Sequence, residues 1–65
     1  MDKIIEIVRN WGKALKVSDF AKIMNMSRKA VYTLISDGKM PVFRIGDSIR
    51  LDPVTTAEWL RSRWG

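Results

Sequence analysis

The sequence predicts a small α+β domain, mostly helical, in which four short helices surround a single β-hairpin. Three observations carry that prediction. Apolar residues recur at three- and four-residue steps in 2–11, 19–24, 28–36 and 53–64. The stretch "VFRIGDSIRL" has strand composition on both sides of Gly46-Asp47-Ser48. Ser, Asn, Gly and Pro stand at the junctions between these segments. Sixty-five residues make one domain, and at this size folding buries only about 60% of the surface of the extended chain, so the core is thin.

In residues 2–11, Ile4, Ile7 or Val8, and Trp11 keep helical spacing, with Asp2 as N-cap and Gly12 as stop. The β-branched residues between Ile4 and Val8 suit a strand as well. Leu15-Lys16-Val17 is a short alternation leading to Ser18, read as the N-cap of a helix over 19–24 whose inner stripe is Phe20, Ala21 and Met24. Asn25 falls where a chain leaving a helix adopts a left-handed conformation, which asparagine accepts. Ser27 caps a second helix running to about residue 36, with Ala30, Val31, Leu34 and Ile35 inward and Gly38 and Pro41 ending it. Two short helices across a tight turn form a helix-turn-helix layout, and small Ala21 permits their close crossing.

For the hairpin, a three-residue Gly46-Asp47-Ser48 loop sets Ile45 opposite Ile49, Arg44 opposite Arg50 and Phe43 opposite Leu51, making one face wholly apolar. A two-residue loop pairs Phe43 with Arg50 and mixes the faces, so pattern consistency selects the first register. Opposed arginines repel, which calls for an anion between them; the alternative is that both guanidiniums splay into water or pair with Asp47 or Asp37. The last segment has Asp52 as N-cap, Pro53 at the first helical position and an inward stripe of Val54, Ala57, Leu60 and Trp64. Arg61 and Arg63 there suit the C-terminal end of the helix dipole.

Twelve Lys and Arg against seven Asp and Glu give a net charge of +5, with a pI near 10.1. The excess is mid-chain: Arg28, Lys29, Lys39, Arg44 and Arg50 face only Asp37 and Asp47 between residues 27 and 50. A basic surface there points to a polyanion such as nucleic acid. With neither cysteine nor histidine, no disulfide, metal site or cofactor is expected, and the commonest general base is missing. Tyr32 as a recombinase nucleophile lacks the convergent groups that activation needs. No enzyme is expected. No apolar run approaches the roughly 18 residues of a membrane span, and the N-terminus lacks a secretory layout, so the expected location is the cytoplasm, on the nucleoid.

On the second helix Arg28, Lys29, Tyr32, Thr33 and Ser36 share the outward face. Residues placed so at the N-terminal end of such a helix can meet base edges in a major groove. Ser27 is a cap whose hydroxyl can also meet a phosphate, and Tyr32 either contacts DNA or packs its ring over the hairpin.

The ordered set Ser18-Asp19, Ala21, Asn25-Met26, Ser27-Arg28, Val31-Tyr32, Gly38, Pro41, Phe43-Arg44-Ile45-Gly46, Ile49-Arg50-Leu51 and Trp59-Leu60 resembles the excisionase-type winged helix-turn-helix domain, related to the DNA-binding domains of MerR-like regulators. The resemblance covers about residues 15–62. It implies a recognition helix at 27–36 in the major groove, carrying Ser27, Arg28, Lys29, Tyr32, Thr33 and Ser36. It also implies a wing at Gly46 to Ser48 near the adjacent minor groove, flanked by Arg44 and Arg50 on the backbone. Asp47 departs from the family's frequent glycine or basic wing tip, and its charge opposes deep insertion. Residues 1–12 lie outside the pattern and either extend the core or pair protomers through Ile4, Ile5 and Val8.

The function implied is that of a DNA-bending protein of a mobile element or prophage that binds double-stranded DNA and assists an integrase or recombinase in excision. Self-association on DNA or through the N-terminal segment belongs to the same expectation. A transcriptional regulator using the same surface is the first alternative. A protein-interaction module docking a partner through Trp59, Trp64 and the N-terminal helix is the second.

Overall fold

The computed structural model describes residues 2–64, with side chains described through residue 63. In chain order the elements are α1 (Asp2–Arg9), α2 (Val17–Met24), α3 (Arg28–Ser36), β1 (Phe43–Ile45), β2 (Ser48–Arg50) and α4 (Pro53–Trp64). This is the mostly helical winged helix-turn-helix expected from the sequence.

Residues 2–9 form a helix, not a strand. Asp2 is its first residue rather than its cap, so its charge acts on the helix dipole. The chain leaves α1 through Gly12 at φ +88°. α1 lies against α4 and α2, where Ile5 and Val8 are buried. Of the three residues that suggested a protomer contact, Ile5 and Val8 are covered within the chain itself and Ile4 is partly covered.

Ser18 does not cap α2. The helix begins two residues earlier than expected, at Val17, and Lys16 occupies the cap position in extended conformation. The Lys16 N–H donates to Asp19 Oδ2 at 3.1 Å, which is one half of a capping box. The reason is tertiary. Leu15 and Leu51 exchange two backbone hydrogen bonds of 2.9 Å each, forming an isolated antiparallel bridge that holds the chain extended up to Lys16 and buries Val17.

The turn between α2 and α3 follows expectation. Asn25 adopts φ +55°, ψ +47°, the Met26 N–H donates to the Ala21 carbonyl at 2.9 Å and the Asn25 N–H to that of Lys22 at 3.2 Å. That double closure satisfies two of the carbonyls a helix end leaves open. Ser27 Oγ accepts the Ala30 N–H at 3.1 Å and starts α3. Gly38, at φ +69°, ends α3 the same way, with Lys39 N–H to Leu34 carbonyl at 3.1 Å and Gly38 N–H to Ile35 carbonyl at 3.0 Å.

The hairpin overturns the expected register. Phe43 pairs with Arg50, Arg44 with Ile49 and Ile45 with Ser48, so the loop is the two-residue Gly46-Asp47. Gly46 has φ +62° and Asp47 is not left-handed, as a type II′ turn requires, and such turns match the twist of paired strands. Turn chemistry therefore prevails over facial consistency. The expected apolar face is never assembled: Leu51 is fully buried and Ile49 partly, while Phe43 and Ile45 are 39% and 59% exposed. Only the base of the ribbon joins the core.

In α4, Asp52 caps through Oδ2, accepting the Thr55 N–H at 2.9 Å. The buried arc is Thr56, Ala57 and Leu60, whereas Val54, expected inward, is 44% exposed at the edge of that arc. Trp64, expected on the same stripe, lies outside the described side chains. Trp59 Nε1 donates to the Lys39 carbonyl at 2.6 Å, and Arg63 stacks over its ring at 5.5 Å.

Two outcomes are expected. Thr56 is fully buried and its Oγ1 has no hydrogen-bond partner among the described residues, so Thr56→Val, of like shape, should raise stability by about 1 kcal/mol in denaturant titration. The Thr55 backbone N–H holds the Asp52 carboxyl below its ordinary pKa. Its stabilising contribution is therefore complete above the unfolded value, near 4, and is lost as pH falls through the lower folded value. Thermal melts should show a smaller acid-induced loss for Asp52→Asn, which caps without titrating, than for the native protein.

Candidate nucleic-acid interface

The candidate surface is a cleft between α3 and the ribbon, floored by the start of α2. Lys16 and Ser18 line it from α2, Arg28 and Tyr32 from α3, and Asp47, Ser48 and Arg50 from the ribbon. Arg28 also borders a second cleft with Ser18, Lys22 and Asn25 on the helix-turn-helix itself. It stands where the two clefts meet.

Each position has a local cause. Ser27 capping begins α3 at Arg28, so Arg28 and Tyr32, one turn apart, form a strip facing the ribbon. Lys29 and Thr33 occupy the adjoining strip and are exposed, as are Ser27 and Ser36. Thr33 Oγ1 donates to the Lys29 carbonyl at 3.0 Å and Ser36 Oγ to the Thr33 carbonyl at 3.2 Å. With their protons held by the helix, both hydroxyls present lone pairs outward, which suit base amino groups rather than phosphate oxygens. Tyr32 lies beside the ribbon residues and is still 48% exposed, so its ring both borders the hairpin and remains open to a ligand.

The corrected register separates the two wing arginines. Opposite residues share a face, so Arg50 lies with Phe43 and Arg44 with Ile49, on the other side of the ribbon. The inferred Arg44–Arg50 repulsion is absent. Its place is taken by a pair that sequence reasoning missed: one step from the Leu15–Leu51 bridge in the antiparallel register, Lys16 comes opposite Arg50, and both line the cleft. Arg50 is pinned by donation from Nη1 to its neighbour's carbonyl, Ile49 O, at 2.9 Å. The signal for Lys16 was present in the Leu15-Lys16-Val17 alternation, but the residue that bridges Leu15 is Leu51, 36 positions away in the chain.

The charge arrangement runs against local preference. The first turn of α3 holds Arg28 and Lys29 and no acidic residue, although the N-terminal end of a helix favours anions. Among the described residues no carboxylate forms a salt bridge with Arg28, Lys29, Arg44 or Arg50. The cleft gathers Lys16, Arg28 and Arg50 against one carboxylate, Asp47, an excess of cations suited to a phosphate backbone.

Residues 14–63 match a family model described as a helix-turn-helix domain. The chain belongs to this family of excisionase-like DNA-binding domains. Searches of curated proteins and of solved structures found no match. As a helix-turn-helix protein it binds DNA, and the match leaves α1 outside the family region, where α1 serves to cover α4. Among the described residues no group of three or more Asp, Glu, His or Cys is placed to hold a metal ion, and no helix is long and apolar enough to cross a membrane.

For a helix-turn-helix surface of this geometry, Arg50→Ala should weaken binding to all duplexes about equally and lower the log–log salt slope by ~0.9. Arg44→Ala, which does not line the cleft, should do less. Arg28→Ala should cost about 1–3 kcal/mol on the preferred site and relax its sequence preference. Fluorescence anisotropy across a salt series reads all three.

Proposed function

We propose that this protein is an accessory DNA-bending factor of a mobile element or prophage that acts as an excisionase, helping an integrase to cut the element out. The observation that carries the reading is the match of residues 14–63 to an excisionase-like DNA-binding family. The recognition helix is α3, with Ser27, Arg28, Lys29, Tyr32, Thr33 and Ser36 toward the major groove. The wing contributes Gly46, Ser48 and Arg50 from its tip and second strand, and Arg44 from its first strand. Lys16 joins them as a further phosphate contact. The work is done by positioning and electrostatics, with no bond chemistry by this chain, and its setting is the nucleoid in the cytoplasm.

An architectural role fits the layout. A helix and a ribbon on either side of a cationic cleft grip the duplex at two points, and contacts on one side of DNA favour its curvature toward the protein. Trp59, considered above as a docking anchor, is tied to the Lys39 carbonyl and stacked by Arg63. That engagement favours the DNA reading over the protein-interaction one. Self-association is then expected on DNA between neighbouring sites rather than through Ile5 and Val8.

Footprinting on DNA flanking the gene should show several adjacent protected sites with hypersensitive cleavage between them. An excision assay with the cognate integrase should gain product on adding the protein and lose that gain with Arg28→Ala. Protected sites confined to a promoter, with no effect on excision, would instead establish a transcriptional regulator.

A further inference from the structure

Every residue of β1 is exposed, among them the apolar Phe43 and Ile45. The cleft takes its ribbon residues from Asp47 and β2 and none from β1, and neither Phe43 nor Ile45 packs against the core. Both are left to solvent on a strand whose outer edge has no neighbour.

The hydrogen-bonding groups of that edge follow from the Leu15–Leu51 bridge. Leu51 turns its N–H and carbonyl toward Leu15, away from β1. Along an antiparallel strand this direction alternates, so Arg50 turns toward β1, Ile49 away and Ser48 toward it again. In the observed register Phe43 and Ile45 therefore bond to β2, while Arg44 and, one pair nearer the base, Val42 turn their N–H and carbonyl outward. Among the described residues no backbone bond outside the ribbon engages either of them. At the base of the edge Pro41, Val42 and Phe43 form a small cleft of about 190 Å³ with Asp52 and Thr55 from the start of α4. The Asp52 carboxylate is occupied there by the Thr55 N–H.

An open edge of this kind takes an added strand, with main-chain bonds supplying affinity and alternate side chains specificity. Short length and a charged residue such as Arg44 guard an edge against copies of itself, and a second copy brings another net +5 to these cations. An acidic segment meets no such guard. An acid opposite Arg44 on an added strand gains a cross-strand ion pair, and the residues on either side of that acid fall on the face of Phe43 and Ile45. The cleft beside Val42 receives an apolar side chain from one end of the segment.

We propose that the outer edge of β1 binds an extended segment of a partner protein by strand addition, the segment alternating apolar and acidic residues. The site lies outside the DNA-binding cleft, and the inference does not rest on the DNA-binding reading.

The probe is a short synthetic peptide alternating valine and glutamate, blocked at both ends and titrated into the full chain, with amide signals followed by NMR. It should slow hydrogen exchange at the Val42 and Arg44 N–H groups and shift the signals of Val42 to Ile45 and of Thr55. A peptide alternating valine and lysine should bind about tenfold more weakly, because its charges oppose Arg44, and Arg44→Glu should reverse that order. Ile45→Thr, which keeps a residue suited to strands, should weaken the glutamate peptide about threefold while duplex affinity stays unchanged. Equal affinity for the two peptides, an order that survives Arg44→Glu, or full peptide affinity in Ile45→Thr overturns the inference. So does a glutamate peptide that fails to bind, or that shifts Arg28 and Tyr32 in the cleft instead of β1.

Discussion

Two backbone hydrogen bonds between Leu15 and Leu51 hold this small protein in its working shape. A two-stranded ribbon of three-residue strands is marginal alone, and here only its base reaches the core. The bridge supplies that base, with both leucine side chains fully buried. It also fixes the start of α2, since Lys16 follows Leu15 directly, and the end of the ribbon, since Arg50 precedes Leu51. One contact thus sets ribbon, helix and the cations between them in a common frame.

The cleft that results breaks local rules in one direction. Lys16 and Arg50 face each other, Arg28 and Lys29 crowd the positive end of α3, and no internal carboxylate forms a salt bridge with Arg28, Lys29 or Arg50 among the described residues. Chains usually satisfy such preferences, and departures concentrate where function requires them. A bound phosphate backbone reverses the sign of every one of these terms.

The helices outside the helix-turn-helix serve this geometry indirectly. α4 buries Thr56, Ala57 and Leu60, and its Trp59 donates to the Lys39 carbonyl in the segment joining α3 to the ribbon. That bond restrains the link between α3 and the ribbon. α1 packs on α4 and hides Ile5 and Val8. The N-terminal segment thereby thickens a core that would otherwise be thin for so short a chain.

Much of the fold could be read from residues acting over a few positions. Asn25 in a left-handed turn, the Ser27 and Asp52 caps, Gly38 after α3 and the stripe of exposed polar residues on α3 depend on groups within one or two turns of each other, so their chemistry is written locally. What could not be read depends on partners distant in sequence. The start of α2 moved to Val17 because Leu51 holds Leu15, and Lys16 entered the candidate interface for the same reason. Val54 fell out of the buried arc because α1, at the other end of the chain, chose which side of α4 to cover. The ribbon register is the instructive case, because Gly46-Asp47 carried a local two-residue turn signal that competed with an apolar pattern. The pattern presumed a core beneath the whole ribbon; the folded chain puts one only beneath its base, and there the turn prevails.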